Sequence, residues 1–289
     1  MQIIVHGASG FIGGQAAKHL ALAGHEVIAP SRSECDLLDA QKTAAFYGSI
    51  KKPSAVVMMA VVNKAVDGSF DGCLRNLHIV NNFMTAASGC EITSVVYASS
   101  ADVFGIAPPC PITENTKPNP ANLYGIAKLA CEQIMLLPQR LVCPVTVLRF
   151  PGVYGRGDQG KSLIGLFIKR ILNGEQLNLC GGGKVLRDYA EVGDVCSIIE
   201  QLISRPLGGL LNVATGKSMA ICDILQVIEE ALSKRAIIKQ APSDANAAAD
   251  LIFDTVKLNE YMGSAFRMLS MKDGVRKYIE ALNEERSPG

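Results

Sequence analysis

Three glycines at a spacing of three, Gly7, Gly10 and Gly13, stand between the apolar run Ile3-Ile4-Val5 and a helix-patterned run that continues to about Ala23. A short continuous apolar run of this kind reads as a strand covered on both faces. Strand, glycine turn and helix together open a βαβ unit, which commits the chain to a parallel sheet. Gly7 can make the tight turn, Gly10 lets a backbone N–H approach a phosphate, and Gly13 lets helix and strand pack closely. Phe11 and Ile12 then lie at the helix N-terminus, which faces a pyrophosphate in a dinucleotide site. A turn kept for packing alone is the competing reading.

The second strand, His25 to Ala29, follows the helix-ending Gly24. A chain that binds NAD commonly carries an acid near the end of this strand, about 20 residues past the glycine turn. Here the place reads Pro30-Ser31-Arg32-Ser33, with no acid before Glu34. Ser31 and Arg32 suit a 2′-phosphate, so the cofactor leans to NADP over NAD, against Arg32 as a merely solvated cation. Further on, helices are predicted over Gln41–Tyr47, Asn76–Ser88, Tyr124–Leu137 and Lys161–Asn173. Strands are predicted over Ala55–Met59 and Val95–Tyr97, with Val145–Phe150 as the sixth. The expected fold class is α/β, a Rossmann-type doubly wound parallel sheet over residues 1–150, with return segments near 190–215. A smaller C-terminal substrate-binding domain covers 151–289, the ligand cleft lying between the two.

Charge and cysteine content exclude several partners. The formal net charge is +1, which gives no reason to expect nucleic acid or an acidic membrane surface. Nine cysteines without a Cys-x-x-Cys pair fit a reduced, cytoplasmic compartment. Met1 to Val5 reads as a strand and not a signal peptide, and the apolar stretch Ala55–Val62 is far short of the ~18 residues that span a bilayer. The four histidines form no ligand-spaced cluster, so no metal site is expected.

Tyr124 and Lys128 lie four residues apart on one predicted helix, so their side chains share a face. A phenol loses its proton near pH ~10, and a nearby cation lowers that value. Ser99-Ser100 ends the run Val95-Val96-Tyr97, where a strand delivers a hydroxyl to the sheet edge. Serine, tyrosine, lysine and a glycine-rich loop in this order resemble the short-chain dehydrogenase/reductase superfamily. Ser99-Ser100-Ala101-Asp102-Val103-Phe104-Gly105 resembles the Ser-Ser-x-x-Val-Tyr-Gly of its extended, nucleotide-sugar epimerase/dehydratase branch. The stretch Gly181-Gly182-Gly183 to Arg187-Asp188-Tyr189 and Val192-Gly193-Asp194-Val195 is the longest match.

That resemblance implies Ser100, Tyr124 and Lys128 as catalytic residues, with Tyr124 moving the proton, Ser100 holding the reacting oxygen, and Lys128 holding the cofactor ribose while lowering the phenol's pKa. It implies Asp36 and Leu37 around the adenine, and Ala60 beside the cofactor after Met59. Asp102 and Arg187 are assigned to substrate, Arg187 as a phosphate ligand or else paired with Asp188 or Asp194. The helices of Asn76 and Tyr124 often pair with their copies in the superfamily, implying a homodimer. Three departures stand out. Ala101 lacks the acid of the Thr-Asp-Glu of 4,6-dehydratases, Gly152 replaces a substrate-touching Asn, and the loop Ala241–Ala249 lacks an expected Arg. The implied function is hydride transfer on a nucleotide-linked sugar by a 4-keto reductase or 4-epimerase. The alternatives are a non-catalytic NAD(P)-binding regulator and a reductase of a non-nucleotide carbonyl.

Overall fold

Ile3, Ile4 and Val5 carry no exposed surface in β1 (Gln2–His6), as a strand covered on both faces requires. The computed structural model describes residues 1–138, 140–241 and 249–286. Most of the loop Ala241–Ala249 therefore lies outside the described residues. β1 pairs in parallel with β2 (Glu26–Ile28) and with β3 (Ser54–Met58). β3 pairs in parallel with β4 (Ile92–Ala98), and β4 with β5 (Val145–Arg149). The sheet order is Gly209–Asn212, β5, β4, β3, β1, β2. Parallel neighbours need crossovers, and α1 (Phe11–Leu22), α2 (Ala40–Ser49), α3 (Phe70–Ala87) and α4 (Leu123–Met135) provide them in turn. The strand order reverses between β1 and β3, the switch point where such sheets bind ligands. The doubly wound sheet is as expected.

Most predicted boundaries shift by a residue or two, and two larger differences stand out. α3 begins at Phe70, six residues before Asn76, because the Ser69 side chain accepts from the Gly72 N–H and caps a turn lacking apolar periodicity. Val145–Arg149 is the fifth strand along the chain, not the sixth.

The chain divides into two compact units. One comprises Met1–Gly105, Lys117–Phe150 and Cys196–Leu211; the other Ile106–Thr116, Pro151–Val195 and Asn212–Gly289. In the first, α3 lays Val80, Phe83, Met84 and Ala87 on the sheet core with Val56, Met58, Val95 and Val147. In the second, Leu163–Asn173, Ile221–Leu232 and Met271–Arg286 are helices whose Ile164, Ile168, Ile224, Ile228, Val275 and Tyr278 form a separate core. Among the described residues no helix is long and apolar enough to cross a membrane, and no group of three or more His, Cys, Asp or Glu is placed to hold a metal.

His6 ends β1, is 2% exposed, and lies 2.8 Å from the Tyr47 hydroxyl. Burial lowers its pKa from 6.5 to about 4. The unfolded chain therefore binds a proton that the folded chain refuses between these values, so stability falls as pH drops from 6.5 towards 4. The loss amounts to about 3 kcal/mol below that window. Chemical denaturation at stepped pH should show it, and His6→Gln should flatten the slope.

Candidate functional site

The glycine turn is closed against backbone on two sides. Gly7 has φ +82°, and a Cβ there would meet the Ala60 nitrogen at 2.7 Å, so the turn lies directly against the residue that follows β3. A Cβ on Gly13 would run into the Gly7 carbonyl, and the Gly10 N–H donates to that same carbonyl at 2.9 Å. Gly10 is the N-cap of α1 and supplies no side-chain acceptor, so Phe11, Ile12 and Gly13 present their N–H groups at an uncapped helix end. A bare, side-chain-free helix N-terminus at a switch point fits a pyrophosphate.

The residues after β2 adopt an unexpected arrangement. Glu34 folds back so that its carboxylate accepts from both the Ser31 N–H at 2.8 Å and the Ser31 hydroxyl at 2.7 Å. These hydrogen bonds hold the Glu34 carboxyl below its ordinary range. The Ser31 donors assigned to a 2′-phosphate thus already hold an anion. Arg32 is exposed, its Nε 4.0 Å from Asp36. Asp36 accepts from the Leu38 N–H at 3.0 Å, and Leu37 is buried, its carbonyl accepting from Asn82.

Ser100, Asp102, Tyr124 and Lys128 come together in the first unit. β4 delivers Ser100 to its end, where it caps the short 3-10 turn Ala101–Phe104 by accepting from the Asp102 N–H at 3.1 Å. Its hydroxyl donates to Asp102 Oδ2 at 2.9 Å. Asn122 caps α4 by accepting from the Gly125 N–H at 2.8 Å and extends its amide towards Asp102 Oδ1 at 3.4 Å. Gly125 is required there, since a Cβ would meet the Asp102 carbonyl at 2.6 Å. Lys64, which sequence reasoning missed, donates to Asp102 Oδ1 at 2.7 Å and stands 5.8 Å from the Tyr124 ring centre. Thirty-eight residues separate Lys64 from Asp102, and nothing local announces the pair. Lys128 stands 5.9 Å from the same ring centre. Its Nζ donates to the Ala98 carbonyl at 2.6 Å and lies 3.4 Å from the Tyr97 hydroxyl.

The electrostatics correct one expectation. The Tyr124 phenol is not lowered by Lys128; burial, then the charge of Asp102 and the neighbouring Cys131, hold it above its ordinary value. Burial also brings the Lys128 ammonium down to about 8. At neutral pH the phenol keeps its proton.

In the second unit Arg187 is half-buried and donates from Nη1 to the carbonyls of Leu186 at 2.7 Å and Ala249 at 2.8 Å. The alternative pairings with Asp188 or Asp194 do not form: Asp188 accepts from Thr215, and Asp194 from the Leu269 N–H. Gly152 has a physical reason, because a Cβ would meet the Tyr189 ring at 2.5 Å. The aromatic ring takes the space an Asn would need.

The sequence matches the model of the NAD dependent epimerase/dehydratase family over residues 3–214, and the chain belongs to that family. It is 24% identical to the GDP-6-deoxy-D-talose 4-dehydrogenase of Aggregatibacter actinomycetemcomitans, over 99% of this chain and 98% of that protein. It superposes on the Thermotoga maritima UDP-glucose 4-epimerase with UDP-glucose at a TM-score of 0.87 and 20% identity, covering 99% of this chain and 100% of the other. Against RMD from Pseudomonas aeruginosa complexed with NADPH the TM-score is 0.82 at 24% identity, with 97% and 99% covered. At such identities the structural likenesses establish the fold.

Proposed function

We propose that this protein is an NAD(P)-dependent 4-keto reductase of a nucleotide-linked sugar, with Ser100, Tyr124 and Lys128 as its catalytic residues. What supports this is the half-buried Tyr124, which shares a face of α4 with Lys128 and whose phenol is held above its ordinary pKa by burial and by Asp102, the carboxylate that accepts from Ser100. A reductase needs a phenol that holds a proton to give away, whereas an epimerase must first take a proton from a sugar hydroxyl. Gly7, Gly10, Phe11, Ile12 and Gly13 would hold the cofactor pyrophosphate, Asp36 and Leu37 the adenosine, and Ala60, Tyr124 and Lys128 the nicotinamide end. The bound nicotinamide supplies the hydride.

Tyr124 donates its proton to the carbonyl oxygen as that oxygen gains charge, and Ser100 hydrogen-bonds the same oxygen. Ser100 has one hydroxyl proton, now given to Asp102, so binding of a carbonyl must draw that donor away. Lys64 holds Asp102 and favours the exchange by keeping the carboxylate satisfied. Lys128 adds positive charge beside the phenolate that proton transfer leaves. Asp102 lies close enough to Ser100 to contribute to substrate binding. The nine cysteines are free thiols, which supports a reduced, cytoplasmic setting. Phe70, Leu74 and Ile126, exposed on α3 and α4, support pairing with a second copy, and sedimentation would show a dimer that charged substitutions at these positions dissolve.

NADP is the proposed cofactor, with Ser31 and Arg32 as its 2′-phosphate ligands and Glu34 as the anion that the phosphate displaces from Ser31. Arg32→Ala should weaken NADPH binding at least about tenfold and leave NADH within about twofold. Glu34→Gln should tighten NADPH. Fluorescence titration checks both, and equal effects of Arg32→Ala on the two cofactors would defeat the assignment.

A second reading is a reductase of a non-nucleotide carbonyl. Gly152 filled by Tyr189 and Arg187 engaged with backbone carbonyls favour it. Purified protein given NADPH with UDP-, GDP-, dTDP- and CDP-4-keto sugars separates the readings. Turnover of one of them supports the first, and turnover confined to free carbonyl compounds supports the second.

A further inference from the structure

Behind the proposed reacting groups lies a buried ion pair that their chemistry does not use. Glu132 stands one helical turn past Lys128 on α4 with no exposed surface, and Arg149, at the end of β5, is 1% exposed. Arg149 donates from Nε to Glu132 Oε1 at 3.0 Å and from Nη2 to Oε2 at 2.7 Å. The Ser99 hydroxyl donates to Oε1 as well. The guanidinium carbon lies 4.9 Å from the centre of the Phe104 ring, in the turn that Ser100 opens. One carboxylate thus joins the ends of β4 and β5, the helix α4 and, through Arg149, the 3-10 turn.

The connection is specific in register. α4 is held to consecutive residues at the end of β4: Lys128 donates to the Ala98 carbonyl at 2.6 Å, and Glu132 accepts from Ser99. The next residue is Ser100. A buried ion pair is weak evidence for stability, since apolar side chains of similar volume often serve as well. What it adds is direction, because a bidentate fork and a hydroxyl tolerate only one placement of the carboxylate.

We propose that Glu132, with Arg149 as its counter-ion, is a positioning residue that sets α4 against the end of β4, so that Tyr124 and Lys128 keep a fixed register with Ser100. This rests on the reading of those three as the reacting groups. Glu132 also acts by charge, favouring the Lys128 ammonium against the burial that brings it down to about 8. The other ionisable groups around Lys128 are Tyr97 on β4, Tyr124 and Cys131 on α4, Cys73 on α3 beyond Cys131, and Asp102 with its partner Lys64 beyond Tyr124. Cys131, whose charge would also favour the ammonium, keeps its proton because burial raises its pKa.

The test compares Glu132→Gln, Glu132→Asp and Ser99→Ala in the full chain, reading Lys128 Nζ titration by 15N NMR, steady-state kinetics and thermal melting. Glu132→Gln should lower the Lys128 titration midpoint by about one pH unit. It should also cut kcat about a hundredfold, with KM within about threefold. Glu132→Asp, which keeps the charge but shortens its reach, should restore the midpoint and not the rate. Ser99→Ala should leave midpoint and melting near wild type and still cost about tenfold in kcat. A Glu132→Gln protein that only melts earlier, with midpoint and kcat kept, overturns the proposal. Should Glu132→Gln not fold, Ser99→Ala decides: an unchanged kcat overturns it. A wild-type chain that turns over nothing defeats the functional reading instead, and the Lys128 midpoint in the ligand-free variants still judges the charge effect by itself.

Discussion

Tyr124→Phe is expected to lower kcat about a thousandfold while leaving cofactor affinity within about twofold. The ring is retained, so packing beside Lys64 and Lys128 is unchanged and only the proton is removed. Nothing else among the described neighbours can take over that transfer easily. Ser100 is a far weaker acid whose single proton only hydrogen-bonds the reacting oxygen, Lys64 is committed to Asp102, and Lys128 to the Ala98 carbonyl. Because burial and Asp102 hold the phenol above its ordinary pKa, the wild-type rate of carbonyl reduction should stay flat up to the point where Lys128 loses its charge, about pH 8. Kinetics with a 4-keto sugar across pH would show both effects, and a Phe variant within tenfold of wild type would remove Tyr124 from the chemistry.

The second large effect concerns the turn that opens the fold. Gly13→Val should abolish measurable cofactor binding, a loss of at least about a hundredfold, because a side chain there meets the Gly7 carbonyl and the Ala8 nitrogen, both backbone. Neither can yield without opening the turn that presents the α1 N–H groups, and the N-terminal charge of the helix acts only within its first turn. Gly10→Ala is the control. A Cβ at Gly10 comes no nearer than 3.2 Å to the Gly7 carbonyl, so it should fold and bind more weakly. Isothermal titration with NADPH and NADH separates the two, and normal binding by a folded Gly13→Val protein would displace the cofactor from this turn.

The parts legible in the sequence are those whose physics is local. Gly7, Gly10 and Gly13 announce themselves because a turn, a close approach and a helix start fall within seven residues. Tyr124 and Lys128 share a helix face at a spacing of four, and that same spacing continued to Glu132 was the available signal for the buried carboxylate. The start of α3 was missed because its first turn, Phe70 to Cys73, carries a cap and not an apolar stripe. What stayed hidden depends on contacts between distant residues. The carbonyls of Leu186 and Ala249 that take up Nη1 of Arg187, one of them 62 residues away, have no local signal. Gly152 looked like a lost ligand, where the Tyr189 ring had taken its place. Tyr124 beside a lysine suggested a lowered phenol, and burial together with Asp102 decided the opposite. A cation four residues away counts for less than desolvation when its own charge is buried and turned to a carbonyl.

The account depends on one event, transfer of a proton from Tyr124 to a sugar carbonyl as that carbon is reduced. The direct measurement is loss of NADPH absorbance by the purified protein mixed with 4-keto nucleotide sugars, with the sugar product identified by mass and NMR. Oxidation of one NADPH for each 4-hydroxy sugar formed, abolished in Tyr124→Phe, is the expected result. Tight binding of NADPH with no oxidation by any carbonyl offered, and no difference between wild type and Tyr124→Phe, would contradict it and leave a cofactor-binding protein that does no chemistry of its own.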